Sequence, residues 1–150
     1  MLLLCGPVKE VHGMVHTSSF HQLEAEDFSG ALLNFESGAR GTLMASTTHF
    51  PGHKEEIILN CSEATVNISG ADLKVFYQNG KIESLETDSQ TGSGSDPMDF
   101  SYTWHANVIE QFWTQFTKNQ QIEISAESAL PVQRLIDAIV RSSKLEKKVT

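Results

Sequence analysis

A series of short β-type segments, separated by turn-forming residues, runs through the first half of the sequence and constrains the fold more than any other feature. The dipeptide Asn79-Gly80 is typical of the tight turn of a β-hairpin, and Gly38 within "ESGAR" predicts a second hairpin. Because short turns join antiparallel neighbours, the pattern predicts a large, mostly antiparallel open sheet. The predicted strands, about seven in number, span residues 8–17, 27–35, 42–49, 55–60, 65–69, 73–78 and 81–86.

Two long amphipathic helices are predicted after the strands, because apolar residues there recur at helical spacing. Asp137 and Arg141, four residues apart, are expected to pair on the outer face of the second helix. We interpret both apolar stripes as core that covers one face of the sheet, which predicts an α+β fold in a single domain over residues 1–150. The stripes consist of Val108, Ile109, Phe112, Trp113 and Phe116 in the first helix and Leu135, Ile136, Ile139 and Val140 in the second.

The segment between the strands and the helices, residues 87–100, is rich in Gly, Ser and Asp and poor in apolar residues. This composition predicts a flexible loop. A lid over a ligand is the alternative, because long loops in compact domains are often functional.

Several predicted strands carry apolar residues at consecutive positions, whereas a strand with one solvated face alternates apolar and polar residues. Two helices cover only one face of a sheet, so the opposite face needs a partner. The simplest partner is the same face of a second copy, which predicts a homodimer or larger homo-oligomer through the open sheet face. The consecutive apolar residues are Ala31, Leu32 and Leu33; Leu43, Met44 and Ala45; and Ile57, Ile58 and Leu59.

Charge and cysteine usage disfavour several classes of partner. The formal net charge of −8 argues against nucleic acid, since phosphate binding depends on clustered Lys and Arg. No apolar run approaches the length of a membrane span, so no membrane partner is expected. Cys5 and Cys61 form no CxxC motif, and they predict reduced, buried thiols in a cytoplasmic protein.

The sequence contains no GxGxxG, Walker, GxSxG or HExxH pattern that would identify a reaction. His49 and His53 are four residues apart within "TTHFPGHKEE", but Pro51 and Gly52 break the helix on which such a pair would bind zinc. We expect these two histidines to face a substrate or solvent, and we predict no metal site.

The other histidines and carboxylates offer weaker candidates. His12 and His16 share a strand face but have no accompanying ligands at metal-binding spacing, and neither they nor His21 are expected to be functional. The carboxylates near the start of the second strand, Asp27 among them, are interpreted as solvated charge. Spacing alone identifies no Ser/His/Asp or Cys/His arrangement.

Five segments follow one another in a characteristic order: "LLLCGPVKEV", "EDFSGALLNFESGARGTLMASTTH", "KEEIILNCSEATVNI", "WHANVIEQF" and "ESALPVQRLIDAIVRSSKLEKKV". This ordered set resembles the C-terminal domain of the Gfo/Idh/MocA oxidoreductases, the relatives of glucose–fructose oxidoreductase and inositol dehydrogenase. The resemblance covers nearly the whole chain. Its most specific features are the strand ending "FESGARGTL", the "AS" that closes the next strand, and the final helix ending "AIVRSS".

The resemblance implies that cofactor binding and substrate binding are assigned to two different domains. Family members carry an N-terminal Rossmann domain that binds NAD or NADP, followed by a domain whose large sheet helps to form the substrate pocket and the oligomer. Their catalytic Lys, Asp and His precede the Leu-rich run that ends in Gly-Pro, so the resemblance transfers no catalytic, cofactor-binding or metal residue to this chain. Residues 1–7 are then interpreted as the remnant of the preceding helix. The segment after "AS" approaches the substrate in relatives, which indicates Thr47, His49 and His53 here.

These observations lead to three functional hypotheses. The first is the substrate-binding and oligomerisation domain of an NAD(P)-dependent oxidoreductase that acts on a sugar, polyol or related alcohol; the chain alone is not expected to catalyse hydride transfer. The alternative is a non-enzymatic scaffold domain that dimerises or binds a small ligand. A free-standing hydrolase or metalloenzyme that uses the loop histidines is disfavoured, because no supporting motif accompanies them.

Overall fold

The computed structural model describes residues 1–22, 24–50, 52–87 and 102–150. The chain divides into two compact units, the first formed by Met1–Thr48 with Asn107–Thr150 and the second by His49–Ala106. Antiparallel strands and two long helices confirm the predicted α+β class. Residues 88–100 of the predicted loop lie outside the described residues.

The elements outside the second sheet are α1 (Leu2–Cys5), β1 (Val8–His16), β2 (Phe28–Phe35), β3 (Arg40–Ser46), α2 (Thr103–Thr117) and α3 (Ala126–Leu145). The three strands form an antiparallel sheet in the order β1-β2-β3. The turn between β2 and β3 contains Gly38, as predicted, and its φ of 88° lies in the region that favours glycine.

The core of the first unit lies between this sheet and α3. Val11, Leu33 and Phe35 of the strands are buried together with Ile139 of α3. Val11 and Leu33 are cross-strand partners, so their side chains lie on the same face of the sheet. Because Ile139 joins them, this is the face that α3 covers.

Helix α3 approaches β1 so closely that a side chain at Gly13 would not fit. A Cβ atom at Gly13 would lie 2.6 Å from the carbonyl oxygen of Ile139. The buried hydroxyl of Ser142 accepts a hydrogen bond from the Gly13 backbone N–H at 2.9 Å. Ser143 accepts one from the Val15 N–H at 3.0 Å. The glycine and the two serines therefore fix the position of the helix along the strand.

The second unit contains β4 (Glu56–Asn60), β5 (Ala64–Ser69), β6 (Asp72–Tyr77) and β7 (Ile82–Leu85). Each of these strands pairs with the next one in sequence, in antiparallel orientation. Gly80 lies in the turn between β6 and β7 with a φ of 84°, which confirms the hairpin predicted from Asn79-Gly80.

The prediction of one sheet of about seven strands is wrong: the strands form two sheets, one of three strands and one of four. Hairpin signals specify pairing between strands that a short turn joins, and those pairings are observed. The stretch from residue 47 to 55, between β3 and β4, is too long for a tight turn. The sequence pattern therefore carries no pairing signal at this point.

The prediction of a buried stripe on both helices holds only in part, and only for α3. There Ile139 is buried, although Ile136 is exposed, and Asp137 pairs with Arg141 at 3.5 Å as predicted. None of the α2 residues is buried, and Trp113 is 63% exposed. The prediction that both helices cover one sheet face is therefore wrong. Helical spacing of apolar residues shows that a helix is amphipathic, but it does not identify what covers the apolar side.

Two sequence expectations concern cysteines and membrane spans. Cys5 and Cys61 are free thiols, and Cys61 is exposed while Cys5 is partly exposed, so the prediction that both are buried is wrong. Among the helices of the described residues, none is both long and apolar enough to cross a membrane.

Candidate functional site

Asp27 is a buried carboxylate at one end of the three-stranded sheet, immediately before β2. Its side chain is 0% exposed. Oδ1 accepts a hydrogen bond from the backbone N–H of Ser18 at 2.8 Å, and Oδ2 accepts a second one from the Ser18 hydroxyl. His21 Nδ1 lies 3.1 Å from Oδ2. The carboxylate therefore joins two residues of the loop between β1 and β2.

The protonation of this cluster follows from its hydrogen bonds. The Ser18 hydroxyl contributes most to lowering the pKa of Asp27, with further contributions from the Ser18 N–H and from His21, and together they outweigh the opposing effect of burial. The carboxylate is thus ionised at neutral pH and only accepts hydrogen bonds. The proton in the contact consequently belongs to His21 Nδ1, and Nε2 is the nitrogen that remains for other partners.

The backbone of Asp27 joins the same loop to the end of β3. Its carbonyl oxygen accepts hydrogen bonds from the Thr47 N–H at 3.0 Å and from the Ser46 hydroxyl at 3.1 Å. Its N–H donates to the carbonyl oxygen of His16 at the end of β1, at 3.1 Å. Asp27 therefore connects the ends of all three strands of this sheet.

The residues predicted to approach a substrate lie in both units. Thr47 belongs to the first unit, where its side chain is exposed beside the Asp27 backbone. His49 and His53 belong to the second unit; both are exposed, and their ring centroids lie 4.4 Å apart. Across the described ranges, no group of three or more His, Cys, Asp or Glu side chains is placed to hold a metal ion.

The cluster of Ser18, His21 and Asp27 was not identified from the sequence, and the interpretation of Asp27 as solvated charge is wrong. Ser18 and Asp27 are nine residues apart, a distance that matches no recurrent motif. Only the folded loop brings them together. The one signal in the sequence is the position of Asp27 directly before an apolar strand, where turns and strand ends commonly place Asp.

On the sheet face opposite the core, the described residues include several exposed apolar side chains. Leu32 is 60% exposed and Met44 is 77% exposed, and Met14 of β1 is exposed on the same face. In the strand register, Met14 and Met44 both lie opposite Gly30, which shares a sheet face with Leu32. The buried Leu33 points to the other face. We call this surface, which also includes His12 and Thr42, the open face.

The family model for the GFO/IDH/MocA C-terminal domain matches residues 1–67. Residues 1–67 are therefore similar to the C-terminal domain of this family. This confirms the family that the sequence motifs indicated. The matched residues of this domain include the Asp27 cluster as well as Thr47, His49 and His53. A comparison with curated protein sequences gives no significant match.

Solved oxidoreductases share the fold of this chain. An oxidoreductase from Agrobacterium radiobacter in complex with NAD+, L-tartaric acid and magnesium is 20% identical with a TM-score of 0.76, covering 99% of this chain and 44% of its own. An NAD-binding oxidoreductase from Klebsiella pneumoniae is 20% identical with a TM-score of 0.76, and the match covers 99% of this chain and 46% of that protein. The WlbA dehydrogenase from Bordetella pertussis, in complex with NADH and UDP-GlcNAcA, is 20% identical with a TM-score of 0.70. That match covers 99% of this chain and 40% of the dehydrogenase. The chain therefore spans less than half the length of these relatives.

Proposed function

We propose that the chain is the substrate-binding and oligomerisation domain of an NAD(P)-dependent oxidoreductase that acts on a sugar, polyol or related alcohol. The match of residues 1–67 to the family model carries this proposal. The complex of the similar WlbA dehydrogenase with UDP-GlcNAcA supports a sugar-type substrate. The two free thiols of Cys5 and Cys61 suit the reducing environment of the cytoplasm, where we place the protein.

In this proposal NAD or NADP is bound by another part of the enzyme. Complexes of similar enzymes with NAD+ or NADH support such a cofactor, and the chain corresponds to 44% or less of the length of two of those enzymes. The cofactor supplies the hydride chemistry. The chain contributes binding groups for the alcohol or carbonyl substrate, and alone it is not expected to transfer hydride.

The substrate-binding segment in this proposal contains Thr47, His49 and His53. All three side chains are exposed, and they carry hydroxyl and imidazole groups that hydrogen-bond to sugar hydroxyls. The Asp27 carbonyl holds the Thr47 backbone, so the beginning of this segment has a defined position on the sheet.

The open face is the proposed surface of oligomerisation. Leu32, Met14 and Met44 expose apolar side chains there, and burial of such a face against a second copy is favourable. Two copies of the open face would pack like the two sheets of a sandwich.

Titration of the chain with myo-inositol, D-glucose and NADH tests the proposed function. We expect the polyol and the sugar to bind weakly and NADH not to bind. Tight binding of NADH would contradict the proposal that another part of the enzyme holds the cofactor. A stable dimer that binds neither polyol nor sugar would favour the scaffold alternative, for which the exposed apolar open face is the supporting observation.

A further inference from the structure

The imidazole of His21 is oriented by a contact that uses only one of its two nitrogen atoms. Nδ1 lies 3.1 Å from Oδ2 of the ionised Asp27 and donates its proton there. Two hydrogen bonds from Ser18 hold the carboxylate itself in place. Within the part of the chain that the structure describes, Nε2 of His21 has no hydrogen-bond partner.

The His21 ring is accessible to a ligand, although the Asp27 carboxylate that orients it is not. The His21 side chain is 37% exposed, whereas the Asp27 side chain is 0% exposed. A neutral imidazole with the proton on Nδ1 presents Nε2 as an acceptor, to which a hydroxyl group can donate. A side chain that is already oriented loses less conformational entropy on binding than a freely rotating one. His21 therefore has the properties of a preorganised binding group for hydroxyl ligands.

Asp27 also connects His21 with Thr47, the first residue of the proposed substrate-binding segment. Its carboxylate holds His21, while its carbonyl oxygen accepts the hydrogen bond from Thr47 at 3.0 Å. We propose that His21 is a specificity-determining residue, whose Nε2 accepts a hydrogen bond from a hydroxyl group of the sugar or polyol that binds beside Thr47. This inference rests on the proposed function and adds a contact that the sequence did not indicate.

Two substitutions separate ligand binding from support of the loop. His21→Asn keeps a nitrogen donor near the position of Nδ1 but removes Nε2, whereas His21→Phe removes both nitrogens. We expect the Asn variant to keep the unfolding midpoint of the wild type and the Phe variant to lower it, because only Phe leaves an acceptor site of Asp27 unfilled. His105→Asn on α2 is the matched control, because His105 is exposed and belongs to neither the Asp27 cluster nor the open face.

Binding of myo-inositol and D-glucose to each variant is measured by NMR titration. We expect His21→Asn to weaken binding about three- to tenfold, the effect of one lost hydrogen bond, and His105→Asn to leave it unchanged. The ¹⁵N resonance of His21 Nε2 in the wild type should shift during the titration. Unchanged affinity in His21→Asn overturns the role of His21 and leaves the proposed function standing. Failure of the wild type to bind either probe overturns the proposed function, and this inference with it.

Discussion

At the scale of single residues, burial and hydrogen bonding act on the pKa of Asp27 in opposite directions. Removal from water favours the neutral acid, whereas the donors on Ser18 and His21 favour the carboxylate, and the carboxylate is the stabler form. The charge of Asp27 is therefore part of the folded structure. The same charge fixes which nitrogen of His21 carries the proton.

The first prediction is an acid-dependent loss of stability that Asp27 causes. Because its pKa is lower in the folded chain than in the unfolded chain, the unfolded chain takes up the proton first as pH falls. The contribution of Asp27 is complete above about pH 5, declines through the ordinary carboxyl range near about pH 4, and is lost once pH falls below the folded pKa. Urea unfolding of the wild type between neutral and acidic pH measures this loss.

Asp27→Asn provides the comparison for this prediction. The variant should be less stable than the wild type at neutral pH, and the difference should close as the pH is lowered. Asp137→Asn on the exposed side of α3 is the control, and it should follow the wild type closely. An unchanged stability difference between wild type and Asp27→Asn across this pH range would contradict the assigned role.

The second prediction compares two glycines of the same sheet. Gly13→Ala would place a methyl group 2.6 Å from the Ile139 carbonyl oxygen, a contact that requires β1 and α3 to move apart. At Gly30 the nearest atom, on the Phe28 ring, lies at 3.6 Å, which is an ordinary contact. We expect Gly13→Ala to lower the free energy of unfolding by about 1–3 kcal/mol and Gly30→Ala to change it by less than about 0.5 kcal/mol. Equal effects in urea unfolding would show that α3 does not pack tightly on β1.

At the scale of elements, α2 and α3 show what apolar spacing does and does not predict. Both helices form where the spacing places them, and α3 begins directly after Ser125. Only α3 has residues that suit close packing on a strand, since Ser142 and Ser143 bond to the backbone of β1. The helices could be predicted from the sequence because periodicity is local. Their packing could not, because it depends on which strand lies opposite.

The third prediction concerns the beginning of α3. The Ser125 hydroxyl accepts a hydrogen bond from the Ser128 N–H at 3.2 Å, which satisfies one of the N–H groups left unpaired at a helix start. Ser125→Ala should lower the free energy of unfolding by about 1 kcal/mol. Ser125→Asp restores an acceptor and should restore stability. Thermal unfolding followed by circular dichroism distinguishes these outcomes, and equal midpoints for Ala and Asp would rule out the capping role.

At the scale of the whole molecule, the sequence predicted strands and hairpins far better than it predicted the sheet and the site. Gly38 and Asn79-Gly80 specify local turns, and both turns occur as predicted. The division into two sheets lies between β3 and β4, where no tight turn specifies a pairing. The contacts of Asp27 with Ser18 and His21 likewise exist only after the loop has closed.

The last prediction connects the open face to assembly. Leu32 is 60% exposed in the single chain, so Leu32→Glu should cost the folded monomer little while placing a charge in the proposed subunit interface. We expect the wild type to sediment as a dimer or larger oligomer at micromolar concentration and Leu32→Glu to shift toward monomer. Leu145→Glu on α3 is the control, because Leu145 is similarly exposed at 53% but does not belong to the open face.

Sedimentation velocity of the wild type, Leu32→Glu and Leu145→Glu distinguishes a wrong prediction of oligomerisation from a wrong choice of interface. A monomeric wild type would contradict oligomerisation itself. A wild type and a Leu32→Glu variant that assemble equally would place the interface elsewhere on the chain. Dissociation by Leu32→Glu but not by Leu145→Glu ties assembly to the exposed face of β1–β3, because the two substitutions add the same charge at similarly exposed leucines. The apolar residues that the sequence placed on both sides of these strands would then have a role on each side: the core on one, a second copy on the other.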